Sequence, residues 1–549
     1  MRGLAAAAAP SALIARGALS RSARSSALSA REALACAGGL GLLTLAMCAG
    51  HIRAGGFYYD DWSLLALGRF PPHAGLLHGL WLDYGQRPGQ VLYYAALDGA
   101  FGVDASARLA LAAATLALEA TSLYLLLRQL GLAALHAVAI AALVLTFPFS
   151  DSVWLWGVLS LSSLAIAGFL LGTVLAIRAL GSRGRRALVL HAASLSLYVA
   201  SVASYEVVAV AGCLAGLLYM RLGLGRARAR WALDVLAIAG TLLVTRALLP
   251  IDVATPSRMQ PFDGMIAHAG LILVGGARLA GAAALPVGGL DPWLGAGALA
   301  LVLAAAALLR ARLARREPLR GELGRWLAIA GAGVLVAIAG WSVYIPAPDH
   351  YLPSLAGTVN RVNAAAAIGI AMLMYAAVVL LARLLQRLLR LPASAASLGV
   401  LAAALALGGA YLARGGADAR AWDAAAADQR RELADLHAAL PRLPAGATVY
   451  AFDAPEAVGP GVPVLNTPLD LTSALRISYS SATLVGVPLQ RPASLTCAPR
   501  GPTARGFGGR YGRSYLLDAG RRRAVPLLEP AQCAAESRRA SASVPVWDG

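Results

Sequence analysis

The chain has 549 residues, a formal net charge of +19 and an isoelectric point of about 10.4. Hydrophobic residues make up 58% of it and charged residues 14%, with a mean hydropathy of +0.66, which excludes an ordinary soluble globular protein. The basic excess does not mark a nucleic-acid binder, because the arginines sit in short loops between apolar runs and no aromatic-basic platform accompanies them.

Residues 1–31 carry Arg2, Arg16, Arg21, Arg24 and Arg31 among Ala and Ser, without an acid. They read as a basic, disordered cytoplasmic tail, although an organellar transit peptide has a similar composition. The transmembrane domain follows over 32–413. Apolar runs at 33–52, 105–128, 132–149, 156–180, 187–203, 206–220, 231–250, 292–310, 326–345, 363–389 and 395–413 predict an all-α bundle of about eleven spans, since roughly 20 residues cross the hydrocarbon core as a helix. Residues 264–286 are apolar but hold His268, Arg278 and several glycines. They read as a helix that enters from outside and returns, or that lies buried against the bundle.

Arginine placement orients the bundle. The N-terminal tail, 182–186, Arg221 to Arg230, Arg310 to Arg325 and Arg383 to Arg390 all fall on one side, which puts the N-terminus inside and the C-terminus outside. The outer face then holds loops 53–104, 150–155, 251–263 and 346–362. In the longest, 53–104, interfacial helices are expected near Ser63 and Pro88, proline being suited to a first helical turn.

After 413 the composition changes. Residues 414–440 read as a helix leaving the membrane. Residues 445–549 hold short β-type runs, such as 447–452 and 482–487, between frequent Gly and Pro. Residues 414–549 are therefore expected to form a small extracytoplasmic α+β or β-rich domain. Cys497 and Cys533 are its only cysteines and are expected to pair on an oxidising face, two free thiols being the alternative. Cys36, Cys48 and Cys213 lie in spans and read as packing residues.

The residues that can carry chemistry cluster in the outer loops. In Gly56-Phe57-Tyr58-Tyr59-Asp60-Asp61-Trp62-Ser63, two adjacent carboxylates stand among aromatics at the membrane surface. They either cap the helix near Ser63 or supply a general base, since neighbouring carboxylates repel and one keeps its proton more readily. Arg87, in Tyr84-Gly85-Gln86-Arg87-Pro88, is an interfacial anchor or a forked binder of an anionic headgroup. Tyr205-Glu206 falls where two spans turn, as an exposed turn acid or a paired carboxylate. Arg361, in Gly357-Thr358-Val359-Asn360-Arg361, opens a span from the outside against the charge rule, so it answers an outer acid or a phosphate. Glu119, Asp234 and Arg246 lie within spans, Glu119 within possible reach of His136 or His191. No zinc-ligand spacing, P-loop or GxSxG elbow is present. The two aspartates admit Mg2+ or Mn2+, but no spacing calls for either and no cofactor is certain.

Taken together these motifs resemble the GT-C superfamily of integral-membrane glycosyltransferases, in its bacterial and protein-mannosyltransferase-like members. Asp60-Asp61 matches the family's acidic first-loop motif, and Gln86-Arg87-Pro88 resembles the Arg-Pro that follows it. Ser204-Tyr205-Glu206 resembles the Ser-Lys-Glu turn, with Tyr205 in place of the usual Lys. Arg361 stands where members place a late-loop Arg near the carrier phosphate. The resemblance covers about residues 33–415. It implies transfer of a sugar from a polyprenyl-phosphate donor to an extracytoplasmic glycan, lipid or protein in a bacterial inner membrane, with inversion. Asp60 or Asp61 would be the base. Arg87 and Arg361 would hold the phosphate, and Tyr59, Trp62, Tyr205, Glu206 and His350 would contact substrate. Two other classes stay open. A transporter or lipid flippase would use Glu119, Asp234 and Arg246, and a non-catalytic envelope scaffold would use Asp60-Asp61 only as a cap.

Overall fold

The computed structural model describes residues 29–247, 249, 260–313, 318–348, 350–452, 455–459, 461–490 and 494–541. Most of the basic tail, most of loop 251–263 and Asp349 lie outside the described residues. The chain is mostly helical. In order, the helices before the C-terminal sheet are α1 (Ala30–Ala54), α2 (Asp60–Arg69), α3 (Leu76–Tyr84), α4 (Pro88–Phe101), α5 (Ala105–Gln129), α6 (Ala134–Leu145), α7 (Ser152–Leu155), α8 (Ser160–Leu180) and α9 (Gly184–Ser204). They continue with α10 (Ala209–Arg221), α11 (Ala227–Ala247), α12 (Phe262–Ala284), α13 (Pro292–Arg312), α14 (Pro318–Ser342), α15 (Ala364–Leu388) and α16 (Ala393–Ala439).

Among the described residues nine helices are long and apolar enough to cross a membrane, which makes this a membrane protein. Three of the expected spans do not reach that standard. Segments 132–149 and 206–220 become α6 and α10, of 12 and 13 residues, and 231–250 becomes α11, which carries Arg228, Arg230, Asp234 and Arg246. Conversely, 264–286 becomes the continuous helix α12, long enough to span. Yet both ends of α12 meet the same end of the bundle. Before its first turn, the Gln260 N–H donates to Pro346 O at 2.9 Å, just past the end of α14. In its last turn, Ala283 O accepts from Tyr411 of α16 at 2.8 Å, and Gly281 packs on the first turn of α13.

Local signals explain the long helices. Ser29 caps α1 by accepting from the Glu32 N–H at 3.0 Å, and Asp104 caps α5 by accepting from Ala107 at 3.0 Å. Small residues let helices touch: a Cβ on Gly333 of α14 would come within 2.6 Å of Gly369 O on α15. Ala364 to Ala371 of α15 are buried without a break, which makes that helix central.

The basic loops gather at one end. Arg128 pairs with Glu32 at 2.6 Å, Arg325 donates to Gly131 O at 3.1 Å, and Arg383 pairs with Glu322 at 2.8 Å. The opposite end carries α2–α4, the 148–159 turns and the 343–363 loop. There Asn360 donates to Asp151 at 2.6 Å, with Asp418 of α16 beside it, so the loop 150–155 is tied down.

Helix α16 runs 47 residues without a break, or about 70 Å at helical rise, and carries the chain well past the bundle. The C-terminal domain folds back along it. Its strands are β1 (Thr448–Phe452), β2 (Ala457–Val458) and β3 (Val462–Pro463), followed by helix α17 (Pro468–Ser478) and β4 (Val485–Pro488). Then come β5 (Thr496–Ala498), β6 (Gly501–Ala504), β7 (Phe507–Gly508), β8 (Ser514–Asp518), β9 (Arg523–Leu527) and helix α18 (Pro530–Ser541). The main sheet has the order β4-β1-β8-β9, with β1 parallel to both neighbours and β9 antiparallel to β8. The domain is α+β, and a disulfide joins Cys497 to Cys533 with Cα atoms 5.8 Å apart.

Candidate functional site

The two adjacent aspartates face different surroundings. Helix α2 starts at Asp60, three residues earlier than the Ser63 region, and neither aspartate is its N-cap. The preceding Tyr59 has φ 45° and ψ −118°, a conformation that strains a residue with a Cβ. That kink buries Tyr58, whose hydroxyl donates to Trp422 O at 2.9 Å, and turns the half-exposed Tyr59 ring edge-on to Trp156 at 5.9 Å.

Asp61 points inward and is 1% exposed. Its carboxylate accepts the Tyr58 N–H and the Val158 N–H, each at 3.1 Å. Burial pushes its pKa up to about 7, against the pull of those N–H groups and of Arg108. Arg108 in turn donates twice to Gly102 O, at 2.9 and 2.6 Å, closing the end of α4. Asp60 instead stands on the rim, partly exposed, within electrostatic reach of Tyr59, Tyr94 and Arg361. Each Asp61 oxygen accepts one backbone N–H, while the Asp60 carboxylate stands apart on the rim. Among the described residues no group of three or more His, Cys, Asp or Glu gathers to hold a metal.

Arg87 meets Glu206 as a fork. Nε donates to Oε2 at 2.8 Å and Nη2 to Oε1 at 2.6 Å, and Arg246 adds a bond to Oε1 at 2.8 Å. Arg246 also donates to Gln86 at 2.5 Å. Burial alone would raise the Glu206 pKa, but Arg87 and then Arg246 outweigh it and hold the carboxyl at about 2. The Arg87 guanidinium lies over the Tyr205 ring at 5.2 Å. Gly89 permits this meeting of α4 with the end of α9, since a Cβ there would stand 2.7 Å from Ser204 Cα. The Arg87 fork is thus engaged by Glu206, with Tyr205 as its floor.

Arg361 lies between two rings, 5.5 Å from Trp156 and 5.5 Å from Tyr351. Its Nη1 donates to Thr358 O at 2.9 Å. Asp60, Tyr205 and Tyr351 surround it electrostatically, and Tyr344 stands against Tyr205. The exposed His350 rides on the Tyr351 ring at 4.4 Å. These rings gather around Arg361 at the end of the bundle opposite the basic loops, with Asp60 within electrostatic reach of its charge.

Trp62 lies elsewhere. It is nearly buried, donates to Gln429 of α16 at 2.8 Å, and packs with Leu436, Val449 and Leu471 of the C-terminal domain. It joins two parts of the chain. Sequence reasoning missed Trp156, Tyr344 and Asp470. Trp156 had a signal, the aromatic pair Trp154 and Trp156 beside an outer turn; Asp470 had only a helix-start pattern from Thr467.

The charges within helices have partners. Asp234 pairs with Arg230 at 2.8 Å and accepts from Tyr219 at 2.9 Å. Glu119 faces Ser163 rather than His136 or His191, which bond to Tyr375 and Arg230 at 2.8 and 2.7 Å. No protein-family model and no curated protein matches this chain.

Proposed function

We propose that this protein is a membrane glycosyltransferase of GT-C type, moving a sugar from a polyprenyl-phosphate donor to an extracytoplasmic acceptor. The observation that carries the reading is a rim carboxylate, Asp60, within electrostatic reach of Arg361, a cation stacked on the Trp156 and Tyr351 rings. An inverting displacement needs those two groups on opposite sides of the anomeric carbon. Asp60 takes the proton of the acceptor hydroxyl, the acceptor oxygen bonds to the anomeric carbon, and the carbon–oxygen bond to phosphate breaks. The departing polyprenyl phosphate keeps the electron pair, and its charge grows beside Arg361. Aromatic walls suit the apolar faces of a sugar ring. Arg87 acts mainly through its clamp on Glu206, which fixes the Tyr205 floor. Asp61 holds α2 to the Val158 turn and thereby aims Asp60. The bilayer supplies the carrier lipid, and the basic end of the bundle faces the cytoplasm of a bacterial inner membrane.

The test is transfer from a panel of polyprenyl-phosphate sugars by purified protein in lipid nanodiscs. Wild-type transfer that is abolished in folded Asp60→Asn supports the reading. Wild-type rates in that variant, or no transfer from any donor, would sink it.

A further inference from the structure

Helix α17 begins at Thr467, which accepts the Asp470 N–H at 3.1 Å, with Pro468 in the first turn. It connects the parallel strands β1 and β4, so it runs back along them and its N-terminus lies at their carboxyl ends. The parallel part of the sheet, β4-β1-β8, thus opens its carboxyl ends beside this helix start, the position where parallel strands commonly take ligands. Here it faces the membrane bundle. The far end of α17 is tied to the tip of α16, through His437 to Ser478 at 2.6 Å and Tyr479 to Leu440 O at 2.7 Å. The near end packs on α2, the helix that starts with Asp60.

Asp470 stands at this junction. It is 1% exposed, and neither carboxylate oxygen reaches a well-formed hydrogen bond among the described residues. Burial pushes its pKa up to about 7, the nearby Thr467 groups opposing and Asp60 adding to the rise. Tyr59 senses both Asp60 and Asp470, so the two carboxylates share one neighbourhood. A buried acid with spare acceptors beside a second acid is costly unless something donates to it. Arg361 and Tyr94 also reach Asp60, but neither appears among the groups acting on Asp470.

We propose that the C-terminal domain completes the site beside Asp60, where the Asp470 carboxylate accepts hydrogen bonds from the hydroxyl groups of a sugar or polyol acceptor. The acceptor class rests on the transferase reading. Once ionised, as at pH 8, the Asp470 carboxylate offers acceptor lone pairs and no donor, which suits hydroxyls and disfavours a phosphate or carboxylate acceptor. Asp470 is then a binding residue, and α17 couples docking of the C-terminal domain to completion of the site.

The experiment uses the full chain in nanodiscs as wild type, Asp60→Asn, Asp470→Asn and the double variant. The first readout is melting temperature at pH 8. Asp470→Asn relieves repulsion and is expected to melt about 1–2 °C higher, a gain that shrinks in the Asp60→Asn background, where the second charge is already gone. The second readout is transfer with the donor and acceptor that the wild type uses. Asp470→Asn is expected to raise the acceptor KM at least tenfold with the donor KM unchanged, a split that a simple helix cap would not produce. Additive melting shifts, or an unchanged acceptor KM beside normal wild-type transfer, overturn this proposal and leave the transferase reading intact. A wild type that transfers to no acceptor overturns both.

Discussion

Val158 donates its backbone N–H to Asp61 Oδ1 at 3.1 Å, a bond that spans 97 residues of chain. Because Tyr58 donates to the other oxygen at 3.1 Å, the Asp61 side chain joins α2 to the turn that carries Trp156. Asp61→Ala leaves two buried N–H groups without an acceptor and leaves Arg108 with Asp98 alone, at 3.4 Å, as its counter-charge. The expected loss is about 2–5 kcal/mol. Asp61→Asn keeps one acceptor and is expected to lose less. Burial raises the native pKa to about 7, above the unfolded value. The native state therefore binds more protons between the two values, and this residue's contribution falls as pH rises from about 4 to 7. Comparing melting curves of wild type and Asp61→Asn over that window checks the sign: the wild type's slope should be the more negative.

Glu206 behaves in the opposite sense. Its native pKa, held at about 2, lies below the unfolded value, so its stabilising contribution is present at neutral pH and is lost as pH falls from about 4.5 to 2. Arg87→Lys cannot reproduce the two-pronged contact, and its ammonium sits less well over the Tyr205 ring. Arg87→Ala is expected to cost about 1–3 kcal/mol, since both side chains keep some solvent contact and Arg246 still pairs with Glu206. Arg246→Ala, at an exposed position, should cost about 1 kcal/mol or less. Chemical denaturation of the three variants orders them; equal losses for Arg87→Ala and Arg246→Ala would contradict the assignment.

How much of this was legible depended on range along the chain. Span length and Arg placement are local properties, so the helical bundle and its basic end followed directly from the sequence. The motifs at Asp60, Arg87, Glu206 and Arg361 were visible for the same reason. The different roles of Asp60 and Asp61 were not, because they depend on Val158, and two neighbouring carboxylates look alike until a distant partner claims one. The helix α3 was missed because Leu76–Tyr84 is short and mostly apolar. Trp62 looked like a site aromatic from its neighbours, yet its indole is claimed by Gln429, more than three hundred residues away. The nearness of Asp470 to Tyr59 and Asp60 was hidden for the same reason.

Gly89 offers a geometric test. Gly89→Ala would place a Cβ 2.7 Å from Ser204 Cα and push α4 away from α9. Such overpacking is expected to cost about 1–3 kcal/mol and to loosen the Arg87–Glu206 fork. Changing the Ser204 side chain alone relieves only part of the clash, because the backbone Cα is itself in the way. Melting of Gly89→Ala and Gly89→Ala/Ser204→Gly should therefore both fall below wild type, with the double variant recovering in part.

The Cys497–Cys533 bond closes a sequence separation of 36 residues between β5 and α18. A loop of that size is worth about 3–4 kcal/mol in the chain-entropy picture. Cys497→Ser/Cys533→Ser, or treatment with reductant, is expected to lower the unfolding midpoint of the C-terminal domain and to leave the bundle helices folded. Limited proteolysis in the presence and absence of dithiothreitol reads this directly: new cuts should appear after 440 and not within α1–α15.

Arg361 is the residue whose surroundings make its chemistry most specific. A planar guanidinium fills the space between Trp156 and Tyr351 with ring centroids 5.5 Å away on each side, a slot that an ammonium does not fill. If its charge meets the leaving phosphate, the benefit is largest in the transition state, where that charge develops. Arg361→Ala should then lower kcat by about 100- to 1,000-fold, on the scale of losing one preorganised charge-stabilising donor. Arg361→Lys should recover only a small part. Trp156→Leu tests the slot without touching the charge, and is expected to lower kcat less than Arg361→Ala while leaving binding of free polyprenyl phosphate nearly unchanged. If Arg361→Ala instead raises the donor KM at constant kcat, Arg361 contributes only uniform binding, and charge stabilisation in the transition state must come from another group.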